Sequence, residues 1–176
     1  VVPVLVVVDL LPVAGHPAGE GVAVVARTQE RAAVLQGGHG PRGAHAEEDA
    51  DVLACRIEGN LACVHGLFFR NGVSLGGRSW FPRIPEGADE GEALSAFVAQ
   101  YYLEHPAPSL VLVNRPVEEG EWLAGMFSER RGRKVEIRHA QRGERARLVE
   151  IAERNAELTR RIGAAVRQAG LSLRTV

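Results

Sequence analysis

The residues that could do chemistry fall into three sets. The first is acidic. Asp49, Asp51 and Glu58 flank the apolar run Val52–Ile57, and Glu118 and Glu119 follow a second apolar run that ends at Val113. Converging carboxylates hold divalent metals, which offset charge on a phosphoryl group and orient an in-line attack. The second set is histidine, cysteine and serine. His16, His39, His45, His65, His105 and His139 show no ligand spacing, such as two on one helical turn. Mid-strand, His65 is read as a hydrogen-bonded core histidine. Cys55 and Cys63 fall roughly opposite each other across the Gly59-Asn60 turn and are read as small buried hydrophobes. Ser74, Ser79 and Ser128 have no companion base nearby in the sequence. The third set is cationic. Arg130, Arg131, Arg133, Lys134, Arg138, Arg142 and Arg145 crowd into sixteen residues. Such a cluster meets phosphates by charge, and the alternative is a solvated rim of Arg stems lying over apolar neighbours.

Charge partition sharpens that last set. The net charge is −1 over 176 residues, but residues 130–176 carry 13 Lys+Arg against 5 Asp+Glu, while residues 1–129 carry 8 against 17. Only the C-terminal quarter has the charge of a polyanion-binding surface. No aromatic residues interleave the cations, so base stacking is not indicated. Two cysteines make no disulfide framework, and the one long apolar run, Val1–Val8, is short and broken by Pro3. A cytoplasmic protein without a membrane span is expected.

The elements that must position these groups follow from periodicity. Residues 1–45 hold no Phe, Trp, Tyr or Ile and are read as a poorly packed N-terminal segment. Residues 46–170 read as one domain and 171–176 as a tail. Within the domain, Val52–Ile57, Leu61–Arg70 and Val73–Phe81 form a three-stranded meander, the last two joined by the hairpin signal Asn71-Gly72. A helix over 89–104 presents Leu94, Phe97, Val98, Tyr101 and Tyr102. Ser109–Val113 is a strand buried on both faces. A second helix, Val117–Glu129, carries Trp122, Leu123, Met126 and Phe127 as its apolar face. Lys134–Arg138 is a fifth strand, and Arg142–Gln168 a long helix with Leu148, Ile151, Leu158 and Ile162 inward. The order βββαβαβα predicts an α/β fold with a five-stranded mixed sheet, strand order 3-2-1-4-5, the element order of the ribonuclease H-like fold.

Active enzymes of that fold need an acid inside the first strand and another at the end of the fourth. Here the first strand reads Val52-Leu-Ala-Cys-Arg-Ile57, and the fourth ends Val113-Asn-Arg115. Arg56 repels a metal, and an amide and a cation stand where the second carboxylate belongs. Asp49, Asp51 and Glu58 are read as solvated acids at strand ends. The expectation is a shell with no catalytic residues, no metal, no cofactor and no small-molecule substrate. The competing reading is a nuclease using Asp49, Asp51, Glu58 and Glu118 or Glu119.

Several motifs agree in order and spacing with one family. Asp49-Ala-Asp-Val-Leu-Ala-Cys55, Ala62-Cys-Val-His-Gly-Leu-Phe-Phe-Arg-Asn-Gly-Val73, Gly77-Arg-Ser-Trp-Phe-Pro82, Ala96-Phe-Val-Ala-Gln-Tyr-Tyr-Leu103, Ser128-Glu-Arg-Arg-Gly-Arg-Lys-Val135 and Gln141-Arg-Gly-Glu144 resemble the UvrC family of excinuclease proteins. The resemblance covers residues 47–165 and implies a place in bacterial nucleotide excision repair, beside UvrB and DNA. It implies the central region that precedes the metal-dependent nuclease module, a catalytically silent platform that contacts DNA weakly and without sequence preference. No Gly-Ile-Tyr/Tyr-Ile-Gly pair and no Gly-Phe-Asp-Ile-Ser-His-like strand occurs, and residues 1–45 resemble no UvrB-binding hairpin. The chain is therefore expected to be a fragment without either nuclease module.

Overall fold

The computed structural model describes residues 10–11, 49–170 and 172–173. The first strand of the domain, β2 (Ala50–Glu58), turns at Gly59-Asn60 into β3 (Leu61–Arg70). Asn71 and Gly72 then both take positive φ, 49° and 73°, the geometry of a type I′ turn, and β3 returns as β4 (Val73–Trp80). Helix α1 (Glu90–Glu104) starts on a capping box in which the Asp89 carboxylate accepts the Glu92 N–H and the Glu92 carboxylate accepts the Asp89 N–H. Strand β5 (Leu110–Val113), helix α2 (Gly120–Arg131), strand β6 (Glu136–His139) and helix α3 (Gly143–Gln168) follow. Gly132 ends α2 in the left-handed conformation, φ 71°. A short strand β1 (Leu10–Leu11) pairs antiparallel with β7 (Ser172–Leu173). The remainder of the segment 1–45 lies outside the described residues.

The sheet order is β4-β3-β2-β5-β6, with β2–β3 and β3–β4 antiparallel and β2–β5 and β5–β6 parallel. This is the expected order. Alternation in β2 splits the core between two faces. Leu53 and Cys55 pack with Leu94, Phe97, Val98 and Phe127 of α1 and α2, while Val52 and Ala54 pack with Val149 and Ala152 of α3.

Four local expectations are corrected. Cys55 pairs with Val64 and Cys63 with Arg56, so the two thiols sit on opposite faces of the sheet, both buried and free. Burial pushes each thiol up to about 12. The inward stripe of α3 is Val149, Ala152, Asn155, Ala156, Thr159 and Gly163; Leu148 and Ile151 are half-buried, and Leu158 and Ile162 are exposed. Small residues let α3 approach the sheet closely, so Leu158 and Ile162 point elsewhere, while the buried Arg160 is paired with Glu58 and Glu157. Trp122 is 63% exposed, and α2 buries only Leu123 and Phe127. The fifth strand begins at Glu136, two residues later than expected.

Between α3 and the sheet lies a buried polar chain. Nδ1 of His65 is 2.7 Å from Ser79 Oγ, the Ser79 hydroxyl donates to Thr159 Oγ1 at 3.4 Å, and Asn155 Nδ2 stands 3.3 Å from His65 Nε2. His65 is fully buried, as the mid-strand placement suggested. Gly77 roofs it: a Cβ there would fall 2.7 Å from His65 Nε2 and 3.1 Å from the Gly66 carbonyl oxygen. Backbone cannot yield cheaply to that overlap. Gly77→Ala is expected to cost about 1–3 kcal/mol, measured as a lower urea midpoint; an unchanged midpoint would contradict this packing.

Candidate nucleic-acid interface and a closed carboxylate cluster

Asp51 lies inside the first strand of the domain rather than beside it, and it is not solvated. It is the second residue of β2 and is 1% exposed, so the solvated-acid reading is corrected. Burial raises its pKa, against opposing hydrogen bonds from Arg70 and Tyr102. Arg70 Nη1 donates to Oδ1 at 2.6 Å and the Tyr102 hydroxyl to Oδ2 at 2.7 Å. Both carboxylate oxygens are thus engaged by protein donors. Asp49 lies beside this group and accepts the Asn71 N–H at 3.1 Å.

A second acidic cluster gathers at the opposite, C-terminal end of β2. Glu90 opens α1 and Glu153 projects from α3 towards the same point. Two guanidinium groups lie between them. Arg115 Nη2 is 2.7 Å from Glu90 Oε2, and its Nη1 is 3.5 Å from Glu153 Oε1. Arg56 Nη1 is 3.6 Å from Glu90 Oε1 and 3.3 Å from Glu153 Oε1. Arg56 also reaches Glu157, 3.9 Å away. Asn114, at the end of β5, accepts the Cys55 N–H at 2.9 Å and donates from Nδ2 to the Cys55 carbonyl and to Glu153 Oε1, each at 3.1 Å. Sequence reading singled out Arg56, Asn114 and Arg115 but missed Glu90 and Glu153, which lie on helices far away in the chain. Among the described residues, no group of three or more His, Cys, Asp or Glu side chains is placed to hold a metal ion.

The basic stretch divides by role. Arg130 donates to the carbonyls of Tyr102 and Leu103 at 3.1 and 3.0 Å, satisfying the end of α1. Arg131 points to the Lys134 carbonyl at 3.5 Å and lies 4.0 Å from Asp49. Lys134 and Arg138 flank Glu136 at 2.5 and 2.6 Å, and their hydrogen bonds hold that half-buried side chain's carboxyl below its usual range. Among the described residues, Arg133, Arg142 and Arg145 make no ion pair. Edge strand β6 separates Arg133 from Arg142 and Arg145, so the stretch that is continuous in sequence is strung along the sheet edge. Arg142 and Arg145 follow the C-terminal end of β6, which runs parallel to β5 and β2. They therefore stand at the same end of the sheet as Arg56 and Arg115. The start of α3 has no side-chain cap, which leaves its first N–H groups open. No helix among the described residues is long and apolar enough to cross a membrane.

A mixed sheet of this order, with α1 and α2 on one face and α3 on the other, defines a ribonuclease H-like α/β domain. The model of the UvrC ribonuclease H-like domain matches residues 49–161, and the chain belongs to that family. Among its relatives is the UvrABC system protein C of Cereibacter sphaeroides, 44% identical over 133 residues, covering 74% of this chain and 21% of the relative. The protein of the same name from Rhizobium meliloti is 47% identical over 109 residues, covering 62% and 16%. That from Sphingopyxis alaskensis is 43% identical over 136 residues, covering 75% and 21%. The chain spans about a fifth of the length of these relatives. Among solved structures, a chain of the PCNA:RNase HII complex from Archaeoglobus fulgidus aligns with a TM-score of 0.44 and 15% identity, over 69% of this chain and 78% of that one.

Proposed function

We propose that the chain is a non-catalytic, DNA-contacting platform within the component of the bacterial excinuclease that makes the dual incision in nucleotide excision repair. In the longer protein it works beside UvrB, and the incisions are made by modules elsewhere in the polypeptide. The observation that carries this reading is the pair Arg56 and Arg115 seated between Glu90 and Glu153, with Asn114 at the end of β5. Those positions face the place where active members of the fold gather carboxylates around two metals. Here the carboxylates are neutralised by fixed protein cations, and the amide of Asn114 is committed to the β2 backbone. Metal-assisted attack would first have to displace the guanidinium groups that sit between these carboxylates.

DNA contact rests on Arg133, Arg142 and Arg145, three cations of the basic stretch that make no ion pair among the described residues. They meet phosphates without reading bases, so binding to duplex DNA is weak, indifferent to sequence and steeply salt-dependent. The test joins both halves of the reading. The chain, incubated with duplex DNA and Mg²⁺ or Mn²⁺, leaves the DNA intact. Arg142→Ala/Arg145→Ala weakens binding equally across sequences and makes the slope of log K against log salt shallower by about one unit per lost contact. Metal-dependent cutting that survives repurification and disappears in Asp51→Asn refutes the non-catalytic part. A double variant with unchanged affinity and slope refutes the DNA-contact part and leaves these arginines as a solvated rim.

A further inference from the structure

The acidic side of the domain carries a feature that the DNA-facing edge does not explain. A groove of about 600 Å³ runs between the loop 82–88 and the exposed side of α1. Its apolar lining includes Ile84, Ala96 and Phe97, and its walls are stiffened by Pro82 and Pro85. The Glu118 N–H donates to Ser95 Oγ at 2.8 Å, fixing the β5–α2 connection against α1, so the groove is already formed. Glu86, Glu92 and Glu118 line it against a single cation, Arg83. Just beyond Glu118 in the chain, Glu119, Glu121 and Trp122 line a second, more open recess of about 640 Å³. There the indole of Trp122 is 63% exposed.

We propose that this groove and Trp122 form a docking site for a cationic segment of a protein partner. Charge complementarity selects the occupant. The carboxylates repel phosphate, which turns nucleic acid away from this surface and leaves it to the arginines beyond β6. A lysine or arginine of the partner meets Glu92 and Glu118, an apolar side chain fills the space over Ile84 and Phe97, and a second cation stacks on the Trp122 ring. An exposed tryptophan, four residues along the chain from a groove-lining glutamate, supplies the kind of anchor that concentrates binding energy at protein interfaces. This surface is separate from the DNA contact proposed above, and each can fail without the other.

The chain has two tryptophans, and the other one, Trp80, is 5% exposed. Acrylamide quenching therefore reports on Trp122, with Trp122→Phe as the control that loses the quenchable signal. The probes are a twelve-residue peptide of alternating Arg, Lys and Leu, the same peptide with Glu for each cation, and a short DNA duplex. The basic peptide is expected to lower the quenching constant at least two-fold at low salt. Glu92→Gln/Glu118→Gln, which keeps the capping hydrogen bond of α1, is expected to abolish that protection. Ala96→Lys, at an exposed helical position, places a cation in the groove and is expected to do the same; circular dichroism and melting temperature confirm that both variants fold. Equal protection by the acidic peptide, protection by DNA, no protection by the basic peptide, or full protection in folded Glu→Gln and Ala96→Lys variants would each overturn the proposal.

Discussion

Asp51→Ala is expected to lower the stability of the domain by about 3 kcal/mol. The substitution strands two donors. The Tyr102 hydroxyl is left in one of the most completely buried environments of the core, where an unmatched polar group is costly. Arg70 loses its carboxylate partner too, but its side chain is 32% exposed and can turn to water, which holds the total to the lower part of the range for a broken buried pair. Asp51→Asn keeps an acceptor for Tyr102 and removes the charge, so it should cost less than Asp51→Ala. Tyr102→Phe should cost about 1 kcal/mol, because it deletes a donor while leaving the carboxylate its guanidinium. Urea denaturation of the three single variants and of Asp51→Ala/Tyr102→Phe gives the coupling energy directly. Additive effects would show that the 2.7 Å hydrogen bond contributes nothing beyond its parts. A midpoint for Asp51→Ala equal to that of the wild type would contradict its burial.

Acid should destabilise the domain from near pH 6 downwards, and His65 is the first group to act. Burial lowers its pKa from 6.5 to about 4. The unfolded chain therefore binds a proton between those values and the folded chain does not, so stability is lost as pH falls through that window. The gap is worth about 3 kcal/mol. The surrounding contacts explain the resistance to protonation. Nδ1–H pointing at Ser79 leaves Nε2 as an acceptor facing the Asn155 amide nitrogen, and an added proton at Nε2 would set two donors against each other. Asp51 has the opposite sign. Its raised pKa makes the folded chain the stronger proton binder above 3.8, so its contribution falls as pH rises. Glu157, held down to about 2 by hydrogen bonds from Arg160 and Arg161, acts lower still, losing its contribution as pH drops from 4.5 towards 2. Melting temperatures of the wild type and His65→Gln, compared between pH 7 and pH 4, isolate the histidine. The glutamine variant should lose the slope between pH 6.5 and 4, and an equal slope in both proteins would assign the acid sensitivity elsewhere.

The sheet was legible because its signals are local. Glu58-Gly-Asn60 and Asn71-Gly72 mark the meander, Pro106 and Pro108 separate α1 from β5, and Gly132 separates α2 from β6. The right-handed crossover rule then leaves one order for the parallel strands. What escaped depends on contacts between distant residues. An acid beside an apolar run reads as solvated unless its partners are known, and those of Asp51 lie 19 and 51 residues away. The inward face of α3 was misplaced because hydrophobicity ranks Leu158 and Ile162 above Ala152, Ala156 and Gly163, whereas close approach to the sheet selects for size. That Arg130 also ties down the end of α1 was not legible, because no sequence rule shows that the last carbonyls of α1 end beside it. At the carboxylate cluster, Arg56, Asn114 and Arg115 stood out by occupying positions where the fold expects acids. Glu90 and Glu153 could not be identified, since nothing in either helix distinguishes them from a solvated glutamate.

The side chain of Asn114 has a consequence for hydrogen exchange. Its amide accepts the N–H and donates to the C=O of Cys55, so a side chain supplies one more rung to the ladder between β5 and β2, beyond its last backbone pair at Val113. Cys55 is fully buried in the central strand, with β3 on its other side. Its amide proton can reach water only when the sheet itself opens, and should be among the slowest to exchange in the chain. An aspartate in the same place could still accept that proton, but it could not donate to the carbonyl, and it would face Glu153 across 3.1 Å. Restoring an acid at this position would therefore loosen the seam between the antiparallel and parallel halves of the sheet, and deuterium would enter at Cys55 before it enters at Leu53.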